Sequence, residues 1–291
     1  MNFTDALIAK IQEKNSRVCV GLDPRYDNLP PELKPANESR PEVAAAFLEF
    51  NKAIIDAIEP HASIVKPQVA FYEVYGSEGV RAFEQTIAYA KSKGLLVLID
   101  GKRNDIGSTA AAYARAFFDD ESFAVDALTV NGYLGFDGIK PFIDYCKNDK
   151  GIFVLVKTSN PSSIDFQDVY TNSGKLMYEM MAENVVEWGA DCFGDNNYSS
   201  VGAVVGATFP QQATKLRKIM PKSFFLVPGY GAQGGTAKDT KPCFNDDGLG
   251  AIVNSSRGII FAYEKQGDDF AKAAGSAAEK MKNEINAVLG S

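Results

Sequence analysis

Histidine is almost absent: His61 is the only one in 291 residues. A histidine-rich metal cluster is therefore excluded, and a Ser-His-Asp triad would have to rest on His61 alone. His61 follows Pro60 at what reads as a helix-to-strand junction, which favours a structural role. Cysteine is also scarce. Cys19, Cys146, Cys192 and Cys243 lie far apart with no paired spacing, which argues against a disulfide framework or zinc site and for buried, reduced thiols in a cytosolic protein. No apolar run approaches the ~20 residues a membrane span needs. The first 14 residues carry Asp5, Lys10 and Glu13 in an amphipathic pattern, which reads as a surface helix and not as the uninterrupted apolar core of a signal peptide. A cytoplasmic protein without membrane contact is expected. Positive charge is in deficit too, at a formal net −7, which argues against nucleic acid as the main partner. A few inward-pointing Lys and Arg side chains could still make a local site for a small anion. There is no fixed-period repeat and no low-complexity tract.

What is present is an ordinary globular composition, 45% hydrophobic and 23% charged, in a chain long enough to bury a substantial core without metals or disulfides. Eight short runs read as strands: Arg17–Asp23, Ser63–Gln68, Leu95–Lys102, Ala124–Val130, Ile152–Lys157, Val201–Gly206, Ser223–Pro228 and Gly250–Asn254. They are continuously apolar, as in Leu95-Leu96-Val97-Leu98-Ile99, and so suit strands covered on both faces. Helical spacing of apolar positions appears between them, over Val43–Ile58, Val80–Ser92 (with Gly94 placed to end it), Gly174–Trp188 and Gln211–Met220. This alternation predicts an α/β fold, a (β/α)8 TIM barrel forming a single domain over residues 1–291. An open doubly wound sheet is the alternative, but no G-x-G-x-x-G turn follows the first strand. Three segments stand out as insertions or long loops: Pro30–Pro41 with four prolines, the polar Asp191–Ser200 expected to pack beside the barrel, and the glycine-rich Gly229–Asp247. A loop as long as the last is often functional.

Barrel enzymes place their chemistry at the C-terminal ends of strands. Those ends carry Asp23, Lys66 with Gln68, Asp100 with Lys102, Ser159 and Arg257. Asp100 and Lys102 are two apart, so a continuing strand points both into the barrel mouth. Asp105 lies where the chain turns into a helix, and Thr109, four further on, would face the same way. Taken alone, Asp100–Lys102 could equally be a surface ion pair, Asp105 a helix cap, and Asp23 before Pro24 a turn former. Lys66 could be an edge lysine reaching solvent, though Pro67 and Val69-Ala70-Phe71 hem it in. Arg257 stands near a helix start, where a guanidinium can fork onto a phosphate. The glycines of Gly229–Gly235 can bring backbone N–H groups close to the same anion, and Gln233 is the one side chain there suited to a phosphate or a base edge.

These residues resemble those of the orotidine 5′-monophosphate decarboxylase family, in particular its longer subgroup, whose third-strand motif DGKRNDIGST stands here unbroken from Asp100 to Thr109. Further matches are Val20–Pro24, Lys66–Tyr72, Val156–Pro161, Pro228–Gly235 and Asn254–Gly258, so the resemblance spans roughly Arg17 to Tyr263. It implies a homodimer of barrels with active sites shared across the interface, a nucleotide substrate, and neither cofactor nor metal. By that resemblance Asp23 and Lys66 would bind the ribose hydroxyls, while Asp100 and Lys102 sit at the reacting carbon. Asp105 of the partner chain would complete an alternating Lys66–Asp100–Lys102–Asp105 array, with Thr109 of that chain on the ribose side. Ser159 would meet the pyrimidine edge, Gln233, Arg257 and Gly229 the phosphate, and Gln68 would neighbour the array. The implied reaction is decarboxylation to UMP with Lys102 as proton donor. The competing readings are a magnesium-dependent keto-sugar-phosphate decarboxylase or aldolase of the same superfamily, and a silent phosphate-binding barrel. Magnesium would want a further acidic ligand at a neighbouring strand end, and the second strand here ends in Lys66.

Overall fold

Eight parallel strands, each a short apolar run, close on one another in sequence order: β1 (Val18–Leu22), β2 (Ile64–Pro67), β3 (Leu96–Arg103), β4 (Ala127–Val130), β5 (Gly151–Lys157), β6 (Ser199–Val205), β7 (Ser223–Val227) and β8 (Ala251–Ser255), with β8 pairing back onto β1. The computed structural model describes residues 1–291 apart from 122, 232, 233, 268 and 291. Every residue of β1, β2, β4, β6, β7 and β8 is buried. Helices cover one side of each strand and barrel-interior side chains the other, which is why the runs are continuous and not alternating. All eight expected strands are present, and the (β/α)8 barrel is the observed fold. The four expected helices are found at Arg40–Ile58, Gly76–Ser92, Met177–Trp188 and Pro210–Ile219. Gly94 follows the second of them at φ +73°, the left-handed turn a helix end favours. A further helix, Phe270–Leu289, packs against Arg40–Ile58.

The first helix, Phe3–Lys14, departs from the expectation of a plain surface helix. Asn2 caps it by accepting from the Thr4 N–H at 2.9 Å, and its apolar face (Phe3, Leu7, Ile8, Ile11) is buried against Cys19, Ile64, Leu98, Phe153, Phe224 and Ile252. It plugs the N-terminal end of the barrel, with the Phe3 and Phe153 rings edge to face at 6.2 Å. The reason is geometric: strand residues lining the barrel's lower end need an apolar cover, and an amphipathic pattern alone does not say what its apolar face meets. Phe3→Ala is expected to cost about 3–5 kcal/mol of stability by leaving a cavity under the barrel. Urea denaturation measures this, and a midpoint unchanged from wild type would mean that Phe3 carries no packing load.

The three inserted segments are ordered in distinct ways. The first is irregular up to Arg40, where a helix starts with Pro41 in its opening turn, a position that tolerates proline's missing N–H. The second lies under the barrel: the Asp5 carboxylate accepts from the N–H groups of Asp195 (2.8 Å) and Asn196 (2.9 Å), and Ser199 and Ser200 already belong to β6. The third contains a short helix, Ala237–Thr240, and a 3-10 turn, Lys241–Cys243. His61 sits just ahead of β2, at the end of the strand remote from the barrel mouth, and burial lowers its pKa. All four thiols are buried and unpaired, and burial pushes that of Cys19 up to about 12. Among the described residues no helix is long and apolar enough to cross a membrane.

Candidate active site

Lys66, on β2, and Asp100 and Lys102, on β3, meet at the barrel mouth. The Asp100 carboxylate lies between two ammonium groups, with Lys66 Nζ 3.0 Å from Oδ2 and Lys102 Nζ 2.5 Å from Oδ1. Burial pushes the Asp100 carboxyl up, but Lys66 and Lys102 outweigh it and hold the group well below the usual carboxylate range. The counterpart holds for Lys66: burial would lower its pKa, yet Asp100 and Asp23 raise it above the ordinary lysine value. Both groups therefore stay charged through the neutral range. Lys66 and Lys102 both line the cavity, but Lys102 is the more open to it, its side chain 47% exposed against 5% for Lys66.

The two-residue spacing of Asp100 and Lys102 is not that of a regular strand. The register slips between Ile99 and Arg103, and Lys102 adopts φ +45°, a left-handed conformation seldom taken by a lysine. Thr129, on β4, holds this bulge. Its Oγ1 accepts from the N–H groups of Gly101 (3.0 Å) and Lys102 (2.9 Å) and donates to Asp100 Oδ1 at 3.1 Å. One hydroxyl thus fixes both the strained backbone and the carboxylate, the kind of bulge that re-aims a side chain at a barrel rim. Sequence reasoning passed over Thr129. The available signal was a polar residue one place from the end of an otherwise apolar run.

Asp23 follows β1 beside the Ser256 hydroxyl; burial raises its pKa, with Lys66 and Ser256 opposing. Its Oδ1 is buried without a hydrogen-bond partner, an acceptor placed to take a ligand hydroxyl. These residues border a cavity of about 650 Å3 whose walls also include Ser159, Gly229 and Arg257. Four cations, Arg25, Lys66, Lys102 and Arg257, face two carboxylates, Asp23 and Asp100. The mouth is locally positive in a chain of net charge −7. Leu155, Val204 and Leu226 form an apolar patch of its wall. Among the described residues Arg257 has no ion-pair partner, so its guanidinium is free for an anion. Beside it the Gly229 segment takes φ +104°, +71° and +90° at Gly229, Gly231 and Gly234, conformations that glycine permits and that can turn successive N–H groups to one side.

Three candidates among the described residues, Gln68, Asp105 and Thr109, lie outside this cavity. Gln68 spends its side chain capping the helix Val69–Glu73, accepting from the Ala70 N–H at 3.2 Å, although its backbone pairs with Asp100. Gln233 is outside the described residues. Asp105 forms no ion pair with Lys102 of its own chain; its Oδ1 accepts from the Ile106 N–H at 2.8 Å. The helix begins only at Gly107, with Ile106 in the cap position. Asp105 therefore neither caps it nor shares a helical turn with the exposed Thr109. Lys238 borders a different cavity, between the Gly229 segment and the helix Phe270–Leu289. No group of three or more His, Cys, Asp or Glu side chains is placed to share a metal ion among the described residues.

A model of the orotidine 5′-phosphate decarboxylase / HUMPS family matches residues 16–268. An orotidine 5′-phosphate decarboxylase of Caldicellulosiruptor bescii is 44% identical over 99% of both chains. One of Rhodopirellula baltica is 46% identical over 94% of this chain and 92% of its own. Among solved structures, Leishmania donovani OMP decarboxylase superposes with a TM-score of 0.80 at 32% identity, all of both chains being covered. Likeness of this degree from end to end leaves no ambiguity of kinship, and the chain belongs to the orotidine 5′-phosphate decarboxylase / HUMPS family.

Proposed function

We propose that this chain decarboxylates orotidine 5′-monophosphate to UMP in pyrimidine biosynthesis, without a cofactor, and that Lys102 is its proton donor. The observation that carries the reading is a single cavity with the Lys66–Asp100–Lys102 array on one wall and an unpaired Arg257 on another. Heterolysis of the bond from carbon 6 to the carboxylate releases carbon dioxide and leaves the electron pair on carbon 6. No adjacent π system absorbs that charge, so a positive group must already be in place. Lys102 is the more open of the two ammonium groups of the array, and its proton would go to carbon 6 to form the new C–H bond. The resulting amine would regain a proton from solvent. Asp100 would hold the Lys102 ammonium in place through their ion pair and face the departing carboxylate. Asp23 and Lys66 would hold the ribose hydroxyls, Ser159 the pyrimidine edge, and Arg257 with the Gly229 backbone the phosphate.

Asp105 and Thr109 join this scheme through a homodimer in which each serves the partner's cavity. Support comes from the surface around Asp105. Ile106, Tyr133, Phe136 and Phe166 are each at least half exposed, with the Tyr133 and Phe166 rings 5.7 Å apart and the backbone oxygen of Asp105 close against Gly138. An apolar surface of this kind suits a subunit interface.

An absorbance assay of orotidine 5′-monophosphate consumption with EDTA present tests the function. Full turnover with the chelator is expected. Activity that disappears with EDTA and returns with magnesium would instead favour keto-sugar-phosphate chemistry, and no consumption under either condition would overturn the proposal.

A further inference from the structure

Ser159 stands two residues past β5, and the structure grips the chain on both sides of it. Lys157, the last residue of β5, is wholly buried. Its Nζ donates to Asp168 Oδ1 at 2.9 Å and to Ser163 Oγ at 3.1 Å, beneath the Phe209 ring at 4.6 Å. The neighbour of Asp168 makes the second grip. Gln167 Oε1 accepts from the Thr158 N–H at 3.0 Å, and its Nε2 donates to Thr158 Oγ1 at 2.8 Å. The Thr158 hydroxyl in turn donates to Asn160 at 2.7 Å. Two adjacent residues, Gln167 and Asp168, thereby fasten the loop back onto the two residues that precede Ser159. The far side of Ser159 is fixed as well. Thr208 donates to its carbonyl at 3.3 Å, and Gly206 is so close that a Cβ there would lie 2.9 Å from the Ser159 Cα.

A rigid Ser159 matters because a serine hydroxyl rotates and can either donate or accept. Left mobile, it could serve the oxygen at position 4 of uracil or the amino group of cytosine. Selectivity between them requires the hydroxyl and its peptide to be held in one place, so that the wrong base leaves a buried group unpaired.

We propose that Lys157, Gln167 and Asp168 are positioning residues, a clamp that sets Ser159 and through it the preference for uracil over cytosine. The proposal rests on the reading of Ser159 as the contact to the base edge. Its test is the affinity of wild type and variants for UMP, CMP and ribose 5-phosphate, measured by competition against turnover. Wild type should prefer UMP. Gln167→Ala, at the half-buried end of the short helix Ile164–Gln167, should reduce the UMP-to-CMP ratio about ten-fold, roughly the worth of one well-placed hydrogen bond. Affinity for ribose 5-phosphate, which has no base, should be unchanged. Asp168→Asn should move the ratio in the same direction, through the weakened hold on Lys157. Parallel loss for all three ligands would mark a merely structural role and overturn the clamp. So would an unchanged ratio in Gln167→Ala when Ser159→Ala has lowered it. An unchanged ratio in Ser159→Ala, or a wild type without preference, would instead remove the base-contact reading and the clamp with it.

Discussion

Replacement of Lys102 by alanine is expected to abolish turnover while UMP still binds. Two effects are lost together. Proton delivery by a positioned acid is worth about 10²–10⁴ in rate, and fixed positive charge beside a developing anion about 10²–10³ more. A drop of at least about 10⁴-fold in kcat follows if the two combine even partly. Nucleotide binding should survive because Asp23, Ser159 and Arg257 border other parts of the cavity. Decarboxylation within about a hundred-fold of wild type would sink the proton-donor assignment. The same variant tests the dimer. Asp105→Ala should be nearly inactive for its own reason, since Lys102 would lose its second carboxylate. In a hybrid of the two variants, one of the two sites would unite an intact Lys102 with an intact Asp105 of the other chain. Random mixing should then restore about a quarter of wild-type activity. No recovery, with hybrids demonstrably formed, would return Asp105 to its own subunit.

The barrel was legible because its strands are buried on both faces, so that Leu95–Ile99 reads as strand without any partner being known. The charged strand ends were legible for the same reason, polar residues being conspicuous after such runs. What could not be read depended on contacts distant in sequence. The left-handed backbone of Lys102 has no local signature, because it arises from one hydroxyl, that of Thr129, taking two N–H groups of β3. The four-residue interval from Asp105 to Thr109 suggested one helical turn, but that inference holds only inside a helix, and this one starts at Gly107. Phe3 and Phe153 lie at opposite ends of a long stretch of chain, and their contact needed the closed barrel. Lys157 drew no attention at the end of its strand; its burial with Asp168 follows from how the loop after β5 folds back.

Arg257→Ala should lower kcat/KM by about 10³–10⁴-fold, or about 4–5.5 kcal/mol, although Arg257 is remote from the bond that breaks. The magnitude follows from what a phosphate site does. Binding energy from a non-reacting group can be spent on ordering the cavity and excluding water, so its loss appears in the rate as well as in affinity. The guanidinium is suited to this because among the described residues no carboxylate competes for it, while Gly229, at φ +104°, borders the same cavity and opens a turning backbone. Asp100 and Lys102 should be undisturbed, since they are held by Lys66 and Thr129 on the two strands that flank β3. The phosphate-free nucleoside separates this account from general damage. Wild type should convert orotidine very slowly, and Arg257→Ala should convert it at the same rate, because the missing guanidinium has nothing left to hold. An unchanged kcat/KM on the nucleotide would take Arg257 out of the phosphate site. A penalty of equal size on nucleotide and nucleoside would mean instead that the substitution disturbs the Lys66–Asp100–Lys102 array.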